Sequence, residues 1–318
     1  ALEDDALLAL PYNIIGRTKL FSAEFTKGID YLQKGIPMME LEGNQEEVGW
    51  SKSMLALTLG WVGQFDEALP MLQHVLDMTR QAGNLIAESA TLSRFGYAQL
   101  LRGDWQDAIR AFSQAIDISQ RIGNQIVSGQ ANGALGYATF MSGSGQQGMA
   151  NIKKGIMAVE AAQSYFGLSV LYAWLGEAYS IAGDSDQGRI AARKSLRIRE
   201  FGERYGEVTA HRALTLAHAG KQEFNWSRVD FHMRESIRLA QERRERPSQA
   251  ITHFRSAEIL NQNGDLVAAR DQIDQATSLF REMGMDWWTE QAEGLRGRID
   301  SGQEFVWFAP YMDGPPTT

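Results

Sequence analysis

The chain has 318 residues, of which 44% are hydrophobic and 22% are charged, a composition typical of a folded soluble protein rather than a disordered one. Its formal net charge of −8 weighs against a nucleic acid or an anionic membrane as the partner, because either would be repelled by an acidic surface. The sequence contains no cysteine, which excludes disulfides, thiolate catalysis and thiolate zinc sites and suggests a cytoplasmic protein. No apolar stretch of about 18 residues occurs, so no membrane-spanning helix is expected.

Small residues recur along the chain in a common register, which indicates a structural repeat. One series, in which each step is 40 residues, is Gly63, Gly103, Gly143 and Gly183. A second series is the dipeptide Gly-Asn, which begins at positions 43, 83 and 123. Two further series of Gly and Ala keep the same spacing, through positions 96, 136 and 176 and through 108, 148 and 188. The spacing is therefore a property of the whole chain and not of one local motif.

The clearest copy of the repeat covers residues 90–124 and predicts two helices joined by a tight turn. Apolar and small residues follow helical spacing on both sides of Gly103-Asp104, where glycine ends the first helix and aspartate caps the second. The second helix is expected to end near Gly123-Asn124, because Gly and Asn adopt a positive φ at little cost. Small residues at positions 96, 108 and 115 allow the two helices to approach closely.

This copy resembles the tetratricopeptide repeat, whose Leu-Gly pair, turn glycine and Ala, Phe and Ala positions are matched by Phe95-Gly96, Gly103, Ala108, Phe112 and Ala115. The resemblance implies an all-α, right-handed α-solenoid of about seven helical hairpins with a C-terminal capping helix. Copies are placed near residues 9, 49, 89, 129, 169, 206 and 250, and the capping helix over about 286–300. The predicted domains are a single array over 1–300 and an aromatic, then Pro/Gly-rich tail over 301–318.

The repeat is longer than the common version of about 34 residues. This longer variety is similar to the sensor arrays of maltose-type transcription activators and of bacterial class III nucleotidyl cyclases. In such arrays the first helices line a concave groove that holds extended ligands. Mapping the family's inward positions onto each first helix predicts these groove residues: Trp50, Met54, Trp61, Arg94, Tyr97, Tyr137, Phe140, Trp174, Glu177, His211, His218, Phe254, Arg255 and Glu258.

Aromatic faces accompanied by Arg and Glu suit a peptide, or a ligand that stacks on rings. The alternative for each of these side chains is packing between neighbouring repeats, where aromatic residues are ordinary core. His211 and His218 lie seven positions apart and are able to share one helix face. No zinc-like cluster with carboxylates accompanies them, so a groove or surface position is favoured over a metal site.

The segment Gly143–Gly148 also matches the G-x-G-x-x-G pattern of a dinucleotide-binding loop. Such a loop requires a βαβ context and an acidic residue about 20 positions further on, and the sequence offers neither. Because the same glycines belong to the repeat, we interpret them as a turn between paired helices, with no bound cofactor.

Two basic runs, residues 189–199 and 238–246, fall on the second helices of the fifth and sixth copies. Glutamates are interleaved in both, so we interpret them as solvated surface, with a nucleic-acid patch as the alternative. The last segment carries several aromatic residues followed by Pro and Gly. We expect residues 305–311 to dock onto the array, because such side chains are costly to leave in water.

No phosphate-binding loop, H-E-x-x-H motif or nucleophile elbow occurs in the sequence. We therefore expect a non-catalytic binding module, a scaffold or ligand sensor for a protein, a peptide or a small ligand in a bacterial signalling system. The alternative is an enzyme whose site is assembled from distant repeats, or a regulator of an attached cyclase or ATPase domain.

Overall fold

The computed structural model describes residues 2–220 and 224–302, and within these ranges the chain forms helices and no β-strand. A short 3-10 helix covers Arg199–Phe201. The α-helices, in chain order, are α1 (Leu2–Phe21), α2 (Phe25–Leu41), α3 (Gln45–Trp61), α4 (Phe65–Gln81), α5 (Leu85–Arg102), α6 (Trp105–Arg121), α7 (Gln125–Met141), α8 (Gly145–Ala161), α9 (Leu168–Ile181), α10 (Ser185–Ile198), α11 (Glu207–His218), α12 (Trp226–Arg243), α13 (Arg246–Gln262), α14 (Leu266–Glu282) and α15 (Asp286–Ser301).

Consecutive helices pack in pairs, from α1 with α2 to α13 with α14, and α15 packs on the last pair. The odd-numbered helices also contact one another in succession, so these first helices of the hairpins form the inner layer of the array. The prediction of an all-α solenoid of helical hairpins is confirmed. No helix in the described ranges combines the length and the apolar character that a bilayer-spanning segment needs.

The Gly-Asn dipeptides lie where one hairpin ends and the next begins. The side chains of Asn44, Asn84 and Asn124 each accept a hydrogen bond from the backbone N–H three residues further on, at 3.0–3.2 Å. The glycine before each asparagine has a φ between 64° and 74°, a conformation that other residues adopt only at a cost. One dipeptide thus ends a helix and caps the next, which explains its repetition.

The three glycines of the G-x-G-x-x-G pattern lie in and beside the turn between α7 and α8. Gly143 has a φ of 107° in that turn, and Gly145 is the first residue of α8. A Cβ at Gly148 would lie 2.6 Å from the backbone nitrogen of Phe140 and 2.7 Å from the carbonyl oxygen of Gly136. Gly143 therefore serves the turn, and Gly148 allows the two helix backbones to touch.

Two connections between hairpins are longer than the others. Most connections contain three residues, but 162–167 and 199–206 are longer. Where the repeat predicts Gly-Asn, the first of them has Gln163 and Ser164, and Gln163 takes the positive φ of 52° itself. Both connections send aromatic side chains toward α1: Phe166 stacks on Phe21 at 6.0 Å between ring centroids, and Tyr205 meets the edge of the same ring at 6.5 Å.

The array curves until distant hairpins touch. The rings of Trp105 at the start of α6 and Trp288 of α15 are 6.0 Å apart, and the Trp105–Trp287 distance is 5.1 Å. A Cβ at Gly63, in the turn after α3, would collide with Met283 beyond α14. These contacts, with the connection 199–206, enclose much of the inner layer.

The division of the chain into an array over 1–300 and a tail over 301–318 stays a prediction. Residues 303–318 lie outside the described part of the structure, and so does the predicted docking of 305–311.

Candidate functional site

Most of the predicted groove residues lie on the inner layer and are buried. Tyr137 and Trp174 are each 3% exposed, Phe254 and Glu177 are fully buried, and Arg255 is 1% exposed. Phe140 is also fully buried, beside the close approach of α7 and α8. These residues are buried because the array curves and brings side chains from distant repeats onto the same surface. The role of these residues in binding stays a prediction.

The predicted aromatic residues stack on one another. Trp174 stacks on Tyr137 at 4.8 Å and on Tyr97 at 5.8 Å between ring centroids. Trp61 stacks instead on Tyr205 at 5.7 Å and on Phe25 at 5.8 Å. The geometry of Tyr137 and Trp174 therefore fits packing between neighbouring repeats, which is the alternative that the sequence left open.

A buried ionic network links four inner helices. Glu177 of α9 accepts two hydrogen bonds of 2.9 Å from Arg212 of α11 and one of 3.0 Å from the Tyr137 hydroxyl of α7. On α13, Arg255 donates to Glu258 at 2.7 Å and lies 3.8 Å from Glu177. Burial alone would raise the pKa of Glu177, but the two guanidinium groups outweigh it and hold that pKa below its usual value. The network balances two cations with two anions and stabilises the inner layer.

His211 and His218 of α11 pack against His232 of α12, and their assignment to a groove stays a prediction. Nδ1 of His211 lies 3.0 Å from Nδ1 of His232, and the ring of His218 stacks on that of His232 at 5.7 Å. Burial and nearby arginines lower the pKa of His218 to about 4. Within residues 2–220 and 224–302, no group of His, Cys, Asp and Glu side chains has a geometry that could hold a metal ion.

A cavity of about 390 Å³ remains on the inner side, between the first four hairpins. Its apolar walls are formed by Trp50, Met54, Leu57, Tyr97, Ile126 and Phe166. Ile126 and Phe166 are 37% and 36% exposed, so the cavity reaches solvent at the start of α7. A smaller space of about 40 Å³ shares Leu57, Tyr97 and Phe166 with it and is bounded by Trp61. Five of the predicted groove residues therefore meet at this place.

Arg94, one of the groove residues predicted from the sequence, places a charged group in this cavity. Its side chain is 8% exposed, its Nη1 donates to the hydroxyl of Ser53 at 2.9 Å, and its guanidinium carbon lies 4.1 Å from the centroid of the Trp50 ring. In the described part of the chain, no carboxylate lies within ion-pair distance of Arg94. Burial, together with the nearby charge of Arg17, lowers the pKa of Arg94 to about 10, so the group stays protonated at neutral pH.

Arg17 of α1 supplies a second guanidinium to the same cavity, and its charge is paired with a carboxylate. It forms an ion pair with Glu47 and donates to the hydroxyl of Ser51 at 3.2 Å. Its Nε is buried without a hydrogen-bond partner. The cavity therefore combines apolar walls with one positive charge, that of Arg94, which has no matching anion.

Comparison with known proteins identifies the type of repeat. Residues 47–121 match the family model of the tetratricopeptide repeat. The chain is a tetratricopeptide-type repeat protein. No curated protein matches its sequence. The match and the hairpin register together confirm the resemblance at the level of this repeat.

Several solved structures share the architecture of this tetratricopeptide array. The Rap conjugation gene regulator of plasmid pLS20, in complex with its Phr peptide, is 14% identical with a TM-score of 0.70, over 85% of this chain and 72% of that chain. Aspartyl phosphate phosphatase F from Bacillus subtilis is 12% identical with a TM-score of 0.63, over 86% and 70%. A signal-transduction ATPase with a tetratricopeptide repeat sensor, from Pyrococcus horikoshii, is 10% identical with a TM-score of 0.55, over 90% and 47%. At these identities the likeness shows the fold.

Sequence reasoning missed three residues that shape the inner side of this tetratricopeptide array. Arg212 completes the Glu177 network, Tyr205 stacks on Trp61, and Phe166 forms the rim of the cavity. The signal available for the last two was the loss of the 40-residue register around 163 and 202, which marked irregular connections without indicating where they pack. For Arg212 the sequence held no comparable signal.

Proposed function

We propose that this tetratricopeptide array binds a peptide, or a peptide segment of a protein partner, in the cavity between its first four hairpins. It acts as a scaffold or sensor in a bacterial signalling system and not as an enzyme. The observation that carries the proposal is the cavity of about 390 Å³ on the inner layer, with its rim at Ile126 and Phe166. The tetratricopeptide fold, and a structural relative solved with a peptide, support the peptide as the class of ligand.

The size of the cavity suits a few side chains of a longer ligand. Ligand pockets in proteins usually enclose about 300–1,000 Å³, so this one accommodates two or three side chains at most. Trp50 and Tyr97 offer ring surfaces, and Met54 offers a side chain that adapts to different shapes. The rest of a peptide would run over the exposed rim.

The test is affinity selection from a degenerate mixture of short N-acetylated peptides, followed by calorimetry on those retained. Ser93 lines the cavity and is 5% exposed, so Ser93→Leu would fill it with apolar bulk. We expect this variant to lose at least about tenfold in affinity for the retained peptides. Ser113→Leu, the same change at an exposed position of α6, is the control. Equal binding by both variants, with the helical content unchanged, would place the site elsewhere.

The proposal that the chain is not itself an enzyme rests on the lack of catalytic motifs in its sequence. Because one structural relative is named a phosphatase, the direct test is hydrolysis of acetyl phosphate and of a phosphorylated aspartate in a receiver protein. We expect no turnover above that of buffer alone. Turnover that persists after repeated purification would favour the enzyme alternative.

A further inference from the structure

We propose that the cavity recognises a carboxylate of the bound peptide, and that Arg94 is the residue that binds it. This inference rests on the proposed function, namely that a peptide occupies the cavity. It adds the chemical class of the group that is recognised and the residue that recognises it.

The first argument is that the charge of Arg94 is unusual for this interior. Four arginines of the described chain are less than 9% exposed: Arg94, Arg212, Arg243 and Arg255. The last three each form an ion pair with a glutamate, respectively Glu177, Glu207 and Glu258. Removing a guanidinium from water is costly unless an anion replaces the hydration. Arg94 is the member of this set that forms no ion pair with a carboxylate of the described chain; its polar side-chain contacts are a hydroxyl and the face of a ring.

The second argument is the way in which Arg94 is held. The Trp50 ring lies against the guanidinium at 4.1 Å, and the hydroxyl of Ser53 accepts from Nη1 at 2.9 Å. Both contacts orient the group without neutralising it. A planar guanidinium held in this way offers its remaining N–H groups to a carboxylate, which it matches in geometry and charge. Since Arg94 lines the cavity, a ligand in the cavity is within reach of it.

The third argument is that the surroundings suit a carboxylate attached to an apolar body. Arg17 adds a second guanidinium, although it forms an ion pair with Glu47. Met54, Leu57 and Tyr97 form an apolar wall of the same cavity. A terminal carboxylate next to an apolar side chain, or an acidic side chain flanked by apolar residues, satisfies both features. The two share the recognised group, and the experiment distinguishes them.

The experiment uses three forms of the degenerate peptide mixture with the full chain. In the first, Asp and Glu are left out and the C-terminus is a free acid; in the second, the same peptides are amidated; in the third, amidated peptides contain one Glu. We expect the second mixture to be retained at least about tenfold more weakly than the first or the third. Preference for the first identifies the chain terminus, and preference for the third identifies a side chain.

The role of Arg94 is then measured with Arg94→Gln, which keeps a donor for Ser53 and removes the charge. We expect this variant to bind acid and amide forms equally, because the carboxylate has lost its partner. Arg110→Gln, at an exposed position of α6, should keep the preference of the unchanged protein.

Each result decides between the proposals. Retention of all three mixtures to the same extent, with Ser93→Leu still abolishing it, would overturn the carboxylate inference and leave peptide binding in place. A carboxylate preference that survives Arg94→Gln would overturn the assignment to this residue. Failure of every mixture to bind would overturn the proposed function, and the inference with it.

Discussion

At the scale of single residues, the interior of this array contains ring and charged side chains in two kinds of environment. Tyr137 and Trp174 are enclosed by other side chains, whereas Trp50 is only partly buried and borders the cavity. Truncation of a side chain removes stabilising contacts in the first environment and mostly cavity-facing surface in the second. The two environments therefore differ in the stability that each side chain contributes.

We expect Tyr137→Ala and Trp174→Ala to lower the free energy of unfolding by about 3–5 kcal/mol, as is usual for buried aromatic residues. Phe112→Ala, in the core of the third hairpin, is the reference for a residue with packing alone. Trp50→Ala should have a clearly smaller effect. Chemical denaturation measures all four variants. Losses near zero for Tyr137 and Trp174 would show that these rings are available to a ligand.

A second residue-scale feature is Glu203, which is fully buried in the connection 199–206. Its carboxylate accepts hydrogen bonds from the backbone N–H and the hydroxyl of Ser169, at 2.8 and 2.7 Å, and from the N–H of Tyr205 at 2.7 Å. Burial raises the pKa of Glu203 to about 7, and the hydrogen bonds from Ser169 only reduce that effect. The group therefore takes up a proton when the chain folds at mildly acidic pH.

Because the folded pKa lies above the unfolded one, the contribution of Glu203 is fully present below about pH 4.3 and is lost as the pH rises through about 7. We expect the free energy of unfolding to fall between about pH 5 and pH 7, by at most about 1.4 kcal/mol per pH unit from this group. Glu203→Gln should reduce that slope, while Glu245, whose pKa burial also raises to about 7, keeps its part. Identical slopes in the two proteins would contradict the assignment.

At the scale of elements, the array is built from hairpins whose helices approach to backbone contact. The fourth hairpin is the extreme case, since Gly136, Gly148 and Gly155 each stand where a Cβ would lie within 2.6 Å of a backbone atom of the other helix. Some other hairpins carry Ala at the equivalent positions, as at Ala56, Ala68 and Ala108. The small residues of the repeat thus set the distance between paired helices.

We expect Gly148→Ala to destabilise the protein by about 1–3 kcal/mol, because the added methyl group forces the backbones of α7 and α8 apart. Gly297→Ala, in α15, is the matched control, since no atom lies within 4 Å of its added Cβ. That change should be stabilising by up to about 1 kcal/mol through helix propensity. Thermal unfolding of both variants checks the pair, and equal effects would contradict the close approach.

At the scale of the whole molecule, the curvature of the array joins repeats that are far apart in sequence. Gly103 and Trp105 of the third hairpin contact Trp288 of α15, and Tyr205 reaches the first two hairpins. An open solenoid has contacts only between neighbouring repeats and unfolds in parts. The long-range contacts here should make the joined hairpins unfold together.

We expect Trp105→Ala to reduce the hydrogen-exchange protection of α15 as well as that of α6, since the indole rings of Trp287 and Trp288 lose a partner. Phe112→Ala is the control within the same helix, because its ring packs on Tyr97 inside the array. It should affect α6 more than α15. Unchanged protection of α15 in Trp105→Ala would mean that the contact between the third hairpin and α15 contributes nothing to stability.

The candidate site could be predicted only in part. The register of the repeat predicted Trp50, Met54 and Arg94 as groove residues, because inward positions recur at a constant offset within each first helix. Phe166 and Arg212 lay outside that reasoning. Phe166 belongs to an irregular connection, and the pairing of Arg212 depends on how α11 is rotated against α9.

The sequence by itself determined the hairpin repeat, because caps, turn glycines and small contact residues act within a few residues or between adjacent helices. Only the tertiary structure decided which part of the inner layer stays open. That outcome depends on the contact of Trp105 with Trp288 and on the two connections that enter the interior. These are contacts between residues about 100 to 200 positions apart, and no periodic pattern records such distances. Their physical cause is the summed curvature of all the hairpins, which closes most of the groove and leaves the cavity beside Arg94.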